Sequence, residues 1–244
     1  MTMENRLFFV SGTGRSGTHL VGRTIASHKE VTGRIEESDT FGLITRIATT
    51  QDVKSPVSSM VYKGLLRYRL KRALSSSSCH VLEKSHPSLW LVDYLMEEFK
   101  STGFIFVYRE MEPTVSSMLE HKGVLSWYSS LPQDKPNRFL GITSANASEF
   151  NGYSIEEKCA LRWQSHYNEI FRLKEKYQDK VILVKYDDFM VNPSPIVKDL
   201  AEFMGVSNAF DIEDIKVRSL DQWKDKLDEG QLMRMRAITE ALPV

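Results

Sequence analysis

The expected architecture follows from one run of residues, Phe8-Phe9-Val10-Ser11-Gly12-Thr13-Gly14-Arg15-Ser16-Gly17-Thr18-His19-Leu20. It has the pattern of a buried strand, a glycine-rich turn and the start of a helix. The three glycines let the backbone approach an anion closely, and the amides of residues 15–19 would face that anion from a helix N-terminus. Ser16 and Thr18 add hydroxyl donors, and Arg15 adds a permanent positive charge. The run therefore predicts a phosphate-binding loop.

This loop differs from the nucleotide-triphosphatase loop GxxxxGK[ST] at one decisive position. Gly12 and Gly17 have the triphosphatase spacing, but Thr18 stands where that motif has its lysine. The sequence also lacks a convincing apolar strand that ends in a magnesium-binding aspartate. The positive charge lies at Arg15, inside the turn, so the loop is expected to bind its anion without a metal ion.

Four short runs, apolar and rich in β-branched and aromatic residues, have the pattern of buried parallel strands. They are Leu7–Val10, His80–Leu82, Phe104–Tyr108 and Val181–Lys185. Helical patterns cover Thr18–Ser27, Phe41–Thr49, Ser59–Leu74, Ser88–Lys100, Pro113–Lys122, Ile155–Tyr177, Pro195–Met204 and Gln231–Ala241. The alternation predicts a three-layer α/β fold, with a mostly parallel central sheet flanked by helices.

Length and charge exclude several classes of protein. The 244 residues suit a single domain, and the balance of 32 Lys+Arg with 32 Asp+Glu argues against a general nucleic-acid binder. Two cysteines give neither a disulfide scaffold nor a metal cluster, and no apolar run is long enough to span a bilayer. We expect a cytoplasmic protein. Two insertions, at about 50–78 and 123–154, are expected to form the site for a second substrate.

A second motif follows the predicted strand at Phe104–Tyr108. Arg109 comes directly after this strand, and Ser117 lies eight positions later on the next predicted helix. A guanidinium at a strand end and a hydroxyl on the following helix can converge on one phosphate at the carboxyl edge of the sheet, where open α/β folds bind ligands. Together with the first loop, this pair favours a nucleotide with two separated anionic groups.

Taken together, these motifs resemble the sulfotransferase family, most closely its protein-tyrosine and bacterial members. The resemblance implies a P-loop-like sulfotransferase fold and transfer of a sulfuryl group from 3′-phosphoadenosine 5′-phosphosulfate (PAPS) to a hydroxyl acceptor, with no metal. The 5′-phosphosulfate would then lie against Gly14, Arg15, Ser16, Gly17, Thr18 and His19, and the 3′-phosphate against Arg109 and Ser117. Further nucleotide contacts implied by the resemblance are Tyr186, Ser219 and Trp223. His121 departs from the family pattern, because tyrosine sulfotransferases have a second arginine there.

The same resemblance suggests the reacting groups. Arg15 would act on the leaving group, Lys84 would stabilise the transferring sulfonate, and Glu37, in Gly33-Arg34-Ile35-Glu36-Glu37-Ser38, would take the proton of the acceptor. Glu36 and His86 stay open as alternative bases, with His19 a weaker one.

Two other functions remain as alternatives at this stage. A small-molecule or nucleotide kinase would use the same loop with magnesium, and a non-catalytic nucleotide-binding protein would bind PAPS or its product without turnover. The sequence leaves the acceptor (small molecule, glycan or peptide tyrosine) and the oligomeric state undecided.

Overall fold

The computed structural model describes residues 6–50, 56–212 and 220–242. Within these ranges, one fully parallel sheet has the strand order β2-β3-β1-β4-β5. The strands are β1 (Leu7–Gly12), β2 (Val31–Ile35), β3 (His80–Lys84), β4 (Thr102–Tyr108) and β5 (Val181–Lys185). The predicted α/β fold with a parallel central sheet is confirmed.

Helices cover both faces of this sheet. They are α1 (Thr18–Ala26), α2 (Ser38–Thr50), α3 (Pro56–Ser76), α4 (Val92–Glu98), α5 (Met111–Leu119), α6 (Lys122–Ser130), α7 (Ile155–Tyr177), α8 (Tyr186–Val191), α9 (Pro193–Met204) and α10 (Glu229–Ala241). Helices α1 and α9 contribute to the core on one face, and α2, α4, α5, α7 and α10 contribute to the core on the other. The chain thus has the three layers that the sequence predicted.

The apolar runs of the central strands have a simple explanation in this layering. Along β1, Leu7 and Phe9 join the core on one face, while Phe8 and Val10 join the core on the other. Successive side chains of a strand point to opposite faces, so a strand covered on both sides must be apolar throughout. Phe9 also stacks on Phe104 of β4, with ring centroids 4.9 Å apart.

Strand β2 and helices α6 and α8 differ from the sequence-based expectation. Strand β2 was not predicted, because its Val-Thr-Gly-Arg-Ile sequence is half polar. It pairs only with β3, at the edge of the sheet, where outward-facing residues meet solvent. Helix α6 lies inside the segment 123–154, which was expected to be turn-rich. Its start is capped by His121, whose Nδ1 accepts a hydrogen bond from the amide of Val124 at 3.2 Å.

The order of the strands determines where a ligand can bind. The chain leaves β1 towards β2, returns through β3, and then crosses to β4 on the opposite side of β1. The loops that follow β1 and β4 therefore run in opposite directions, which opens a crevice at the carboxyl edge of the sheet. The residues that follow β1, β2, β3 and β4 all meet at this edge.

A buried carboxyl group on β3 makes the stability of the fold depend on pH. The side chain of Glu83 is fully buried, accepts hydrogen bonds from Thr40 at 3.0 Å and from Ser85 at 2.7 Å, and lies 3.2 Å from the Arg34 guanidinium. Burial raises the pKa of Glu83 from its ordinary value of 4.5 to about 7, and the three polar neighbours offset only part of that cost.

We expect the free energy of unfolding to fall as the pH rises from about 4.5 to about 7. In this window the folded protein holds a proton on Glu83 that the unfolded chain has lost, so raising the pH favours unfolding. The loss amounts to about 3 kcal/mol. Denaturant unfolding of the wild type and of Glu83→Gln between pH 5 and pH 8 measures it. The variant should show a flatter profile, and equal slopes would contradict this role for Glu83.

Across the parts of the chain that are described, no helix is both long and apolar enough to cross a membrane.

Candidate active site

The glycine-rich turn between β1 and α1 is shaped by a close contact with α8. Gly17 has a φ of 89°, and a Cβ there would lie 1.9 Å from Cδ2 of Tyr186. Only glycine combines that backbone conformation with that approach. Helix α1 begins directly afterwards at Thr18, so its first amides, which have no partners inside the helix, are free to face a ligand at the carboxyl edge.

Arg15 connects the two motifs that the sequence indicated separately. It has a φ of 79°, which turns its exposed side chain out of the loop. Its Nε donates a hydrogen bond to Oγ of Ser117 on α5 at 3.1 Å. The phosphate-binding loop and the strand–helix motif therefore line the same space.

Arg109 follows β4 and is held in place by α8. Its side chain is almost fully buried, its Nε donates to Oδ1 of Asp187 at 3.1 Å, and its guanidinium lies 4.7 Å from the centre of the Tyr186 ring. Asp187 was not predicted to take part, although an acidic residue just after a strand is the signal that marks it. These contacts orient the guanidinium of Arg109 towards the crevice.

Lys84, Glu36 and His86 form a compact charged cluster at the ends of β2 and β3. The side chain of Lys84 is only 3% exposed, and its ammonium is paired with Oε1 of Glu36. His86 Nδ1 lies 3.8 Å from the same oxygen, beyond an ordinary hydrogen bond, so the ammonium is the closer partner. Glu36 has a φ of 53°, and this turn after β2 brings its carboxylate to Lys84.

The protonation states of this cluster follow from its surroundings. His86 and Lys84 hold the pKa of Glu36 far below its usual range, at about 2. Burial lowers the pKa of His86 to about 4. At neutral pH Glu36 is therefore a carboxylate, and His86 is a neutral imidazole. Burial also lowers the pKa of Lys84, although its contact with Glu36 favours the ammonium form.

These groups line one cleft of about 790 Å³ at the carboxyl edge of the sheet. Its polar lining includes the loop, Arg15, Arg23, Arg109 and Ser117. Its apolar lining consists of Leu20, Phe41, Val124 and Trp127. The cluster of Lys84, Glu36 and His86 lies on the same cleft.

Comparison with known proteins identifies the family. The model of the sulfotransferase family matches residues 8–212, which include all of the sheet except Leu7 and every residue that lines the cleft. The chain belongs to the sulfotransferase family. No curated protein resembles it significantly in sequence.

Solved structures share the fold of this sulfotransferase at low sequence identity. The sulfotransferase domain from the curacin biosynthetic pathway matches with a TM-score of 0.57 and 13% identity, covering 98% of this chain and 97% of that one. The sulfotransferase domain of the Synechococcus PCC 7002 olefin synthase matches with a TM-score of 0.56 and 14% identity, covering 98% of this chain and 95% of that one. Mouse sulfotransferase SULT7A1, complexed with PAP, matches with a TM-score of 0.50 and 15% identity, covering 98% of this chain and 84% of that one.

Most residues that were expected to bind the nucleotide line the cleft of the sulfotransferase. They are Gly14, Arg15, Gly17, Thr18, His19, Arg109, Ser117 and Tyr186. Ser16 does not line it: its buried hydroxyl lies 2.6 Å from the carbonyl oxygen of Thr13 and 2.9 Å from that of Val107, so it stabilises the loop from within. Trp223 is half-buried and packs against the core instead of lining the cleft. Ser219 lies outside the described residues.

The two neighbouring glutamates have different surroundings. Glu36 lines the cleft, whereas Glu37 is exposed and is not among the residues that form it. The backbone carbonyl of Glu37 accepts hydrogen bonds from the amides of Thr40 and Phe41, at 3.1 and 2.8 Å, in the first turn of α2. The expected base, Glu37, is therefore not among the residues that line the cleft, whereas Glu36 is.

The two insertions also differ in their relation to the cleft. Gly123, Val124 and Trp127, from the segment 123–154, line it, while no described residue of 50–78 does. Within the described ranges, no group of three or more His, Cys, Asp or Glu side chains is arranged to hold a metal ion.

Proposed function

We propose that this sulfotransferase moves a sulfuryl group from PAPS to a hydroxyl acceptor by in-line transfer, with its own cations in the place of a metal. The observation that carries the proposal is the convergence of Arg15, Lys84 and Arg109 on one cleft beside a glycine-rich loop. Three fixed cations around a helix N-terminus suit a ligand with two separated anionic groups.

The polar lining of the cleft is the proposed nucleotide site. The loop amides, Thr18 and Arg15 would hold the 5′-phosphosulfate, and Arg109 with Ser117 would hold the 3′-phosphate. Arg109 is already oriented by Asp187, so little side-chain entropy is lost when it binds an anion. The hydrogen bond from Arg15 to Ser117 keeps the two halves of this site together in the free protein.

The central cluster is the proposed reacting site, with Glu36 as the base. Oε1 of Glu36 is held by Lys84, and the side chain is 33% exposed, against 11% for His86. As the bond forms between the acceptor oxygen and sulfur, the bond from sulfur to the bridging phosphate oxygen breaks. The acceptor proton passes to Glu36, and adenosine 3′,5′-bisphosphate (PAP) leaves. A low pKa suits such a base only if the proton moves late, when the acceptor oxygen has become acidic.

Lys84 has the position of the transition-state cation. It ends β3 at the ligand-binding edge, and its almost complete burial strengthens its interaction with developing negative charge. The apolar lining residues Leu20, Phe41, Val124 and Trp127 are proposed to contact the acceptor, because Phe41 and Trp127 lie beside the cluster, with ring centroids 6.1 and 5.8 Å from that of His86.

We expect Arg109→Ala to weaken binding of PAP by about 10- to 100-fold, because a phosphate loses a preoriented, charge-assisted donor pair. Isothermal titration with PAP measures the change. Arg236→Ala is the matched control, since Arg236 is an exposed arginine on α10 that is paired with Glu112 at 2.9 Å, away from the cleft. Equal affinity in the two variants would contradict the assignment of the 3′-phosphate to Arg109.

The proposed reaction is tested with sulfur-labelled PAPS and a panel of phenols and aliphatic alcohols, with and without EDTA. We expect labelled organic sulfate and an equal amount of PAP, with no loss of rate in EDTA. Tight PAP binding with no transfer to any acceptor would favour the non-catalytic alternative. Dependence of turnover on ATP and magnesium would contradict the proposal.

A further inference from the structure

One arginine in the core is not explained by the reaction as described. Arg162 lies on α7 with its side chain fully buried. Among residues 6–50, 56–212 and 220–242, no carboxylate lies within ion-pair distance of it. Its Nη1 contacts Sδ of Met118 at 3.6 Å, and among the described residues its Nε and Nη2 have no hydrogen-bond partner. Within these described ranges, the buried positive charge of Arg162 therefore has no carboxylate as a counter-charge.

Burying an unpaired charge is unfavourable because the charge loses its hydration, and the surroundings of Arg162 compensate for only part of that loss. Its guanidinium lies 5.0 Å from the centre of the Trp127 ring and 4.8 Å from that of Phe139. Cation–π contacts stabilise a buried cation, but they are weaker than the loss of hydration of an unpaired charge. For stability alone, an apolar side chain of similar length would serve better. A function other than stability therefore accounts for the arginine.

The position of Arg162 indicates what this function is. A Cβ at Gly14 would lie 3.4 Å from Nη2 of Arg162 and 3.1 Å from Cδ2 and Nε2 of His86. Gly14, His86 and Trp127 all line the cleft, so the guanidinium lies directly behind the phosphate-binding loop. A separation of 3.4 Å is ordinary van der Waals contact, so the guanidinium packs against the loop at Gly14. The loop has Thr18 where a triphosphatase has its lysine, so Arg162 adds a charge behind the loop to the one that Arg15 supplies within it.

We propose that Arg162 is a positioning residue for the nucleotide: an unpaired buried cation whose counter-charge is the anionic group bound at the Gly14 loop. It does not touch the ligand and acts through the backbone of the loop. The inference rests on the proposed function, because it needs an anion at that loop. The unpaired charge lowers the stability of the free protein, and binding of the anion removes this destabilisation.

The experiment compares Arg162→Met, Arg162→Lys and the wild type, with Arg172→Met as the control on the same helix. Arg172 is partly exposed and paired with Glu169 at 2.7 Å, so it reports the loss of an ordinary surface pair. The unliganded melting temperature and the dissociation constant for PAP are measured for each protein. We expect Arg162→Met to melt at or above the wild-type temperature, yet to bind PAP about tenfold more weakly, as expected for a charge acting across one backbone layer.

The conservative variant separates charge from shape. Arg162→Lys should keep the affinity for PAP within about threefold of the wild type, because the positive charge is retained. Equal PAP affinity in Arg162→Met and the wild type would overturn the proposal, although the proposed function would stand. Failure of Arg162→Met to fold would also overturn it, since the unpaired charge would then be essential to the fold itself. No PAP binding by the wild type would remove the proposed function and this inference together.

Discussion

We expect Lys84→Met to lower the rate of sulfuryl transfer by about 10²- to 10³-fold, the usual cost of removing one preorganised charge from a developing negative charge. The affinity for PAP should change by no more than about threefold, because the effect lies in the transition state. Lys84 is almost fully buried and paired with Glu36, so its ammonium is already in position before the substrate binds. Single-turnover rates and PAP titrations on the same preparation measure the two effects separately.

The matched control for this variant is Lys185→Met. Lys185 ends β5 as Lys84 ends β3, but it is paired with Glu110 at 2.9 Å and does not line the cleft. It should retain the wild-type rate. A comparable loss of rate in both variants would mean that strand-end lysines act through stability, and a parallel loss of PAP affinity in Lys84→Met would make Lys84 a binding group instead.

The second large loss of sulfuryl transfer is expected on substitution of Glu36, the proposed base. Glu36→Gln should lower transfer by about 10²- to 10³-fold and leave PAP binding unchanged, because the amide cannot accept the proton of the acceptor. Glu37→Gln, one residue further along, should transfer at the wild-type rate. The chain thus provides two nearly identical substitutions, of which only one changes a group in the cleft.

Comparison of Glu36→Gln with Glu37→Gln also decides which of Glu36, Glu37 and His86 is the base. Loss of transfer in Glu37→Gln with normal transfer in Glu36→Gln would restore the base that the motif alone indicated. Normal transfer in both would move the role to His86, which His86→Asn would then test. His86 is neutral at pH 7, with a pKa of about 4, so it too is able to accept a proton there.

Local sequence patterns were sufficient to predict which residues of the two motifs lie at the candidate site. The glycine-rich run from β1 into α1, and the spacing from Arg109 to Ser117, each lie on consecutive elements whose geometry is standard. Lys84 could be placed at the ligand edge because it ends an apolar strand. The positions of these residues depend on the order of strand, turn and helix, which the local sequence encodes strongly.

Other features depend on contacts that local sequence does not specify. Glu36 lines the cleft instead of Glu37 because β2 ends at Ile35 and Glu36 takes a positive φ; a shift of one residue reverses which side chain faces the ligand. Helix α6 and the role of Asp187 are likewise fixed by tertiary packing. Arg162 could have been noticed, since it lies three residues after Cys159 and four before His166 on the buried stripe of α7. Nothing in that spacing shows that it lacks a counter-charge.

Thermal unfolding with three ligands tests most directly whether the cleft is a PAPS site. The protein is melted with PAP, with adenosine 5′-monophosphate, which lacks the 3′-phosphate, and with ATP plus magnesium. At about 100 times its dissociation constant, PAP should stabilise the fold by about 2.7 kcal/mol, which raises the melting temperature by roughly 5–10 °C in a chain of this size. We expect a clear shift with PAP, a smaller one with the monophosphate and none specific to magnesium. A shift with ATP and magnesium alone would contradict the account.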